Sequence, residues 1–174
     1  IPLDLETGVI VDIGESAVSV FPFYAGTYIF NAADKQPYGG YDCTAHVAEL
    51  LKAKGVALDP VKDRDLLTQI KNACAAPRLE GAEDAMQTYT LPDGKTVEIN
   101  GADVIEPLIV PMSIDKRNEL HGIGATVVNS IMKCPMDCRG DLFANIHIVG
   151  GGAMCEGMDA RIKQDILACL KGKG

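Results

Sequence analysis

No apolar run in this sequence approaches the roughly 18 residues needed to cross a bilayer, so no segment reads as a membrane-spanning helix. No secretory leader stands at Ile1. Ile1 is also not a natural start, so the chain reads as a piece of something longer. The basic excess of a nucleic-acid or anionic-membrane binder is missing: the formal net charge is −8, which leaves room only for a local anion site. Cys43, Cys74, Cys134, Cys138, Cys155 and Cys169 form no CxxC pair. Cys134-Pro-Met-Asp-Cys138 has the wrong spacing for a zinc knuckle and no nearby pair of histidines. Free thiols in a reducing cytosol are the simpler expectation. Neither a low-complexity run nor a repeat of 20–50 residues is present.

What is there suits a globular fold. The 174 residues are 47% apolar and 23% charged, enough for one sizeable domain or one domain carrying a smaller insertion. Such a chain buries roughly 70% of its unfolded surface without disulfide staples. Val9 to Ile13 and Ala17 to Phe23 predict a β-hairpin, and Thr27 to Asn31 a third strand. After the break at Pro37-Tyr38-Gly39-Gly40, Asp42 is the expected N-cap of a helix with Val47, Leu50 and Leu51 at helical spacing and Gly55 as its stop. Asp63 or Asp65 caps a second helix carrying Leu66, Leu67 and Ile70. Gln87 to Leu91 and Lys95 to Ile99 predict a hairpin around Pro92-Asp93-Gly94. Leu108 to Val110 is a short apolar stretch before Pro111. Helices are expected over Gly124 to Lys133 and Met136 to Ala144, and a buried strand over Asn145 to Val149. A long helix follows near Met158 to Leu170, with Ile162, Ile166, Leu167 and Leu170 on one stripe. Lys171 and Lys173 complement its negative end.

Three features could carry chemistry. The turn Asp12-Ile13-Gly14-Glu15-Ser16 begins with a carboxylate at a strand end. Backbone N–H groups at Gly14 can hold an anion, and Asp12 could position a hydrated magnesium ion. An ordinary polar turn explains the same residues. Gly150-Gly151-Gly152-Ala153-Met154 lies between a strand and a helix, where glycines permit close approach and N–H groups favour phosphate. A tight connection explains it equally well. It is neither a P-loop nor GxGxxG. Gly39-Gly40-Tyr41-Asp42 either faces a ligand or turns a corner. Lys71, on an amphipathic helix, is by default a solvated lysine. His46, His121 and His147 have no Ser or Cys partner at motif spacing, so no nucleophilic triad is indicated.

In this order the features resemble the actin and actin-related protein family. The resemblance rests on Asn129-Ser-Ile-Met-Lys-Cys134, Arg139-Gly-Asp-Leu-Phe-Ala-Asn145 and the run IHIVGGGAMCEGMDARI ending at Ile162. Thr7-Gly8, Pro22-Phe23-Tyr24, Gly39-Gly40-Tyr41-Asp42, Ile70-Lys71 and Leu91-Pro92-Asp93-Gly94 fall in the same order, with a shortened stretch between Pro77 and Gln87. The resemblance implies an α/β fold, one lobe of the actin-like, ribonuclease H-like ATPase architecture. It pairs a mixed sheet flanked by helices with a small α+β inserted subdomain. The core would comprise residues 1–38 and 118–174, the insertion 39–117, and the N-terminal lobe would be absent.

The resemblance also implies roles. Asp12 matches the acidic residue behind the metal and its water. Gly14, Glu15 and Ser16 lie in a phosphate loop, Gly40 and Lys71 match positions beside the sugar and base, and Gly150, Gly151, Gly152 and Met154 match an adenosine-contacting loop. Glu15-Ser16 stands where actins have Asp-Gly; Glu is longer, and Ser lacks glycine's freedom at positive φ. Ser19 replaces a His that helps orient the attacking water, a role typically worth roughly 10²–10⁴ in rate. Asn72 replaces a Glu near the ribose, and Cys155 a Tyr near the base. Met112 to Glu119 replaces an apolar plug with a solvated loop. The expected function is a cytoskeletal or complex-scaffolding subunit that binds ATP or ADP with Mg2+ when complete and hydrolyses weakly or not at all. This stretch alone would hold no cofactor and show no activity. Expected partners are actin or actin-like subunits and actin-binding or complex proteins, with no membrane or direct nucleic-acid contact. The expected location is the cytoplasm, with the nucleus as the second compartment. The competing readings are a small-molecule kinase of the same superfold and a scaffold subunit with no nucleotide role.

Overall fold

The computed structural model describes residues 6–111 and 120–172; Met112 to Glu119, expected to form a solvated loop, and Lys173 lie outside the described residues. Strands β1 (Gly8–Ile13) and β2 (Val18–Tyr24) form the expected hairpin. Its register sets Ile13 opposite Val18 and Asp12 opposite Ser19. The turn is therefore Gly14 to Ala17, closed by the Gly14 N–H donating to the Ala17 carbonyl at 3.0 Å, and Asp12 and Ile13 belong to the strand. A main sheet runs β3 (Thr27–Tyr28), β2, β1, β7 (Ile146–Val149), with β4 (Asp34–Gln36) also on β2. The β1–β2 pair is antiparallel, whereas β7 (Ile146–Val149) lies parallel to β1. The sheet is mixed, as expected.

One face of this sheet is apolar because β-branched residues alternate along it. Val9, Val11, Ile13, Val18 and Val20 are fully buried. Helix α4 (Ile123–Lys133) packs on β2 and on α6 (Met158–Lys171), and α5 (Met136–Ala144) packs on β1. The α4–α6 crossing is close: a Cβ at Gly124 would come within 2.6 Å of the Asp165 side chain. Buried Ser130 donates to the Ala32 carbonyl at 2.7 Å, tying α4 to the chain before β4.

Several expectations shift. The third strand is only Thr27–Tyr28 (β3), followed by a 3-10 turn at Phe30–Ala32. Polar β4 lacked any apolar signal. β7 is half-buried rather than buried, because it ends the strand order with β1 as its only partner among the described residues. On α6, Ile162 and Ile166 are buried but Leu167 is 48% exposed.

The middle of the chain holds α1 (Gly40–Ala53), α2 (Arg64–Cys74), the hairpin of β5 (Met86–Thr90) and β6 (Thr96–Asn100), and α3 (Gly101–Ile109). Asp42 is not the N-cap of α1. Gly39 takes that place, and the Asp42 carboxylate, one turn in, accepts from the Gly39 N–H at 2.7 Å; a first-turn acid favours this end of a helix. Asp63 does precede α2, but its carboxylate accepts from the Asp59 N–H instead of capping the helix. Helix α3 takes in Leu108 and Ile109, which the sequence left as a short apolar stretch. Asn100 caps it, accepting from the Ala102 N–H at 3.1 Å. Pro107 inside it hid the helical pattern.

Candidate functional site

The turn after β1 docks on the start of α1 through backbone alone. The Gly40 N–H donates to the Gly14 carbonyl at 3.0 Å and the Tyr41 N–H to the Glu15 carbonyl at 2.8 Å. This approach requires Gly39, since a Cβ there would lie 2.5 Å from the Gly14 oxygen and 2.7 Å from the Glu15 oxygen. Gly40 is less strictly constrained, because its Cβ would meet only the ends of two flexible side chains, Glu15 Oε2 at 2.5 Å and Lys71 Nζ at 3.2 Å. The pair of glycines therefore lets two chain segments touch, and the side chains of Glu15 and Lys71 meet above them.

Lys71 is not a solvated lysine. Its side chain is only 12% exposed, and its ammonium donates to the Gly40 carbonyl at 3.0 Å and lies 3.5 Å from Glu15 Oε2. Arg64 holds the other oxygen of the same carboxylate, Nη2 to Oε1 at 3.2 Å, with its guanidinium 5.5 Å from the Tyr41 ring centre. Arg64 was not foreseen from the sequence. The available signal was its spacing of seven from Lys71, which puts both on one face of α2.

The opposite side of the space is the segment after β7. Gly150, at φ 93°, begins a 3-10 turn over Gly151–Met154. A Cβ on Gly150 would lie 2.5 Å from the Ile13 carbonyl and 2.6 Å from Asp12 Oδ1, and one on Gly152 would strike the Ile13 side chain. Gly151 faces open space, and Met154 is 85% exposed.

Between these sides lies a cleft of about 1050 Å³, at the large end of the range for small-molecule sites. Its lining includes Gly14, Glu15, Gly40, Lys71, Gly151, Gly152 and Met154, and also Asn72 and Cys155. The cleft thus gathers candidates from four separate stretches of sequence. Asp12, Ser16, Ser19 and Gly150 are not among its lining residues. Asp12 is half-buried beside Gly150, and Ser19, 9% exposed, sits across the ladder from it. Ser16 is exposed on the turn. Among described residues other than glycine only Ala25 has positive φ, so Ser16 adopts an ordinary conformation and the glycine freedom expected there is not needed.

Cys43 also lines the cleft, from α1, but burial raises its thiol from 9.0 to about 12, so it is not a nucleophile at neutral pH. Burial likewise raises the thiol of Cys155, whose Sγ lies 3.5 Å from the Ala75 carbonyl. The Tyr38 hydroxyl, which donates to the His121 carbonyl at 2.6 Å, is held far above its usual value by burial and locks the chain just before the glycine pair. All six cysteines are free. Among the described residues no group of three His, Cys, Asp or Glu side chains converges as a metal site, and no helix is long and apolar enough to cross a membrane.

The sequence model of the family described as Actin matches residues 4–72 and 61–173. Actin-related protein 2 of Saccharomyces cerevisiae (strain ATCC 204508 / S288c) is 25% identical over 173 residues, which cover 93% of this chain and 44% of that relative. The chain therefore spans less than half the length of the curated relative it matches. With the family match running over nearly all of the sequence, and a mixed sheet flanked by helices in the fold, the chain is a divergent member of the actin family.

Proposed function

We propose that this chain is the larger lobe of an actin-related protein, a cytoskeletal or complex-scaffolding subunit that holds ATP or ADP with magnesium when its other lobe is present. In this reading residues 1–38 and 118–174 form the ribonuclease H-like core and 39–117 the inserted subdomain. The observation that carries it is the cleft itself: Gly14, Glu15, Gly40, Lys71, Gly151, Gly152 and Met154, far apart in sequence, line one space large enough for a nucleotide.

The residues present fit such a ligand. The glycines bring backbone close on both sides, and Lys71 is a nearly buried cation. Gly40 and Lys71 would lie beside sugar and base, Gly151, Gly152 and Met154 beside the adenosine, and Gly14 and Glu15 beside phosphate. Asp12, abutting Gly150 at the end of β1, would hold magnesium through water, since that ion is usually bound by one or two carboxylates plus phosphate. The ion would neutralise phosphate charge. Ser16, exposed on the turn, contributes no side chain to the cleft.

Weak hydrolysis follows from Ser19. It stands directly opposite Asp12 on the ladder, where the family's water-orienting His would be, and a hydroxyl does not serve as a base at neutral pH. The proposed setting is the cytoplasm, with actin-like subunits or actin-binding proteins as partners. Labelled ATP titrated into the full-length protein, followed by phosphate release with magnesium, tests the reading. Submicromolar binding with turnover below that of a conventional actin is expected. No binding would leave a scaffold without a nucleotide role, and conventional turnover would remove the weak-hydrolysis claim. The 174-residue chain alone, with one side of the clamp, is expected to bind ATP more weakly than micromolar.

A further inference from the structure

The chain leaving α2, just after Lys71 and Asn72, does not move away from the cleft. Ala75, Ala76, Pro77 and Leu79 line it, together with Cys155 and Gly157 from the segment after β7. The two stretches touch: Cys155 Sγ is 3.5 Å from the Ala75 carbonyl, and a Cβ on Gly157 would come 3.3 Å from Pro77 Cγ. Residues 75–85 then run on to β5 as a strap whose two ends are pinned at the start of α3. The Ala76 N–H donates to the Gly101 carbonyl at 3.2 Å, and the Gly101 N–H to the Ala85 carbonyl at 2.9 Å. Between those pins, among the described residues, the strap's hydrogen bonds beyond itself go to α6. Arg161 Nη1 donates to the Arg78 carbonyl at 2.8 Å, and the Glu80 N–H donates to Gln164 Oε1 at 3.0 Å. Arg161 is itself oriented, its Nε donating to Asp165 at 3.0 Å.

We propose that residues 75–80 are the wall on which the ligand's base packs, and that Arg161 and Gln164 are positioning residues that hold this wall and so exclude purines with a bulky substituent on the base. The inference rests on the reading of the cleft as a nucleotide site, in which Lys71 and Cys155 lie on the side of the base. The chemistry of the wall suits that neighbour: two alanines, a proline and a leucine offer uncharged, apolar contact. Cys155 is far smaller than the tyrosine that the resemblance sets there, and its place against the Ala75 carbonyl leaves the strap to supply the contact a ring would make. The wall can also yield. Arg78 and Glu80 are exposed, so a strap released from α6 exchanges those two bonds for water, which costs little. Its ends stay pinned at Gly101, so release moves the middle of the strap without unmaking the cleft.

The test measures, by calorimetry on the full-length protein, the binding of three kinds of probe: ATP, ATP with a benzyl group on the N6 or the C2 edge of the base, and ATP with a bulky acyl group on the ribose. Wild type is compared with Arg161→Met and Gln164→Leu, each first shown to be folded by its thermal transition. Wild type is expected to bind at least one base-substituted analogue roughly tenfold to hundredfold more weakly than ATP, the scale of forcing extra atoms against a fixed wall. Both variants are expected to bind ATP as wild type does and to lose most of that penalty, while any penalty on the ribose-substituted analogue stays. A merely structural role for the two side chains would move all three probes together. Unchanged discrimination in the variants overturns the proposal, as does a wild type that admits both base-substituted analogues as readily as ATP, or equal relief for the ribose-substituted one. If Arg161→Met fails to fold, Gln164→Leu decides alone. ATP binding with unaltered discrimination defeats the wall and leaves the nucleotide reading intact, whereas no ATP binding by wild type defeats both.

Discussion

The two sides of the cleft are built on opposite plans. On the side of the β1–β2 turn, α1 and α2, the polar groups are already partnered: two backbone hydrogen bonds dock turn on helix, and Glu15 pairs with both Arg64 and Lys71. On the side of Gly150 to Met154, only Gly150 and Gly152 press inward, while Gly151 meets nothing and Met154 stands 85% exposed. The first side has little tolerance for change. The second offers apolar surface and open backbone and can accommodate. Changes that fall equally on both sides would erase the distinction, and those below are ordered by the size of the difference expected.

The largest effect is alkaline and belongs to the partnered side. Burial keeps the Cys43 thiol protonated to about 12 in the folded chain, against 9.0 when exposed. Above the exposed value the folded state therefore holds more protons than the unfolded one, and stability falls as pH rises. The loss begins near pH 9 and is complete near pH 12, at most about 4 kcal/mol. Tyr38, Cys74, Cys134 and Cys155 shift in the same direction through burial, so the Cys43 share is read by difference. Urea unfolding of wild type and Cys43→Ala from pH 8 to 11 should show a shallower decline in the variant; parallel declines would place that thiol in contact with water.

Next comes a methyl group placed on each side. At φ −170° Gly39 is extended backbone that any residue adopts, so space alone forbids Gly39→Ala. Its Cβ would lie 2.5 Å and 2.7 Å from the Gly14 and Glu15 carbonyl oxygens, and the turn must lift off α1. Overpacking together with strained docking bonds should cost about 3 kcal/mol. Gly151→Ala, facing open space, should stay within about 0.5 kcal/mol of wild type. Denaturant midpoints check both, and similar costs would break the contrast.

The same contrast governs what could be read from sequence. Elements with a strong period were legible: β1, β2, β5, β6 and α4 lie within a residue or two of where alternation and helical spacing put them. Where the signal was local and polar it failed. β4 is Asp-Lys-Gln and exists because β2 offers it a ladder. α3 is interrupted by Pro107, and Asp42 reads as a cap until Gly39 is seen to occupy that place. The candidate residues were given their roles through family order, and seven of them do line one cleft. What no spacing conveys is contact across the fold: Arg64 is 49 residues from Glu15, and Lys71 looked solvated because its partners lie on another element. The resemblance sets a glycine where Ser16 stands, but the turn keeps Ser16 out of positive φ, so glycine's freedom is not needed there.

Within the partnered side, burial should rank its two cations. Lys71→Met fills much of the same volume but removes a charge-assisted bond to the Gly40 carbonyl and the contact with Glu15. Because Glu15 is 45% exposed and keeps Arg64, the stranded-charge penalty of a fully buried pair does not apply in full. A loss of about 1–2 kcal/mol is expected, measured by urea denaturation.

Arg64→Ala should have the smallest effect. Both members of that pair are about half exposed, at 51% and 45%, so water screens the attraction and ordering two long side chains offsets much of it. The guanidinium over Tyr41 adds only the modest gain of an exposed cation–π contact. The expected cost is about 0.5 kcal/mol, shrinking further between 0.05 and 0.5 M salt as the Debye length contracts, whereas the Lys71→Met cost should change little over that range. If Arg64→Ala instead costs as much as Lys71→Met and resists salt, the two cations act as one buried unit.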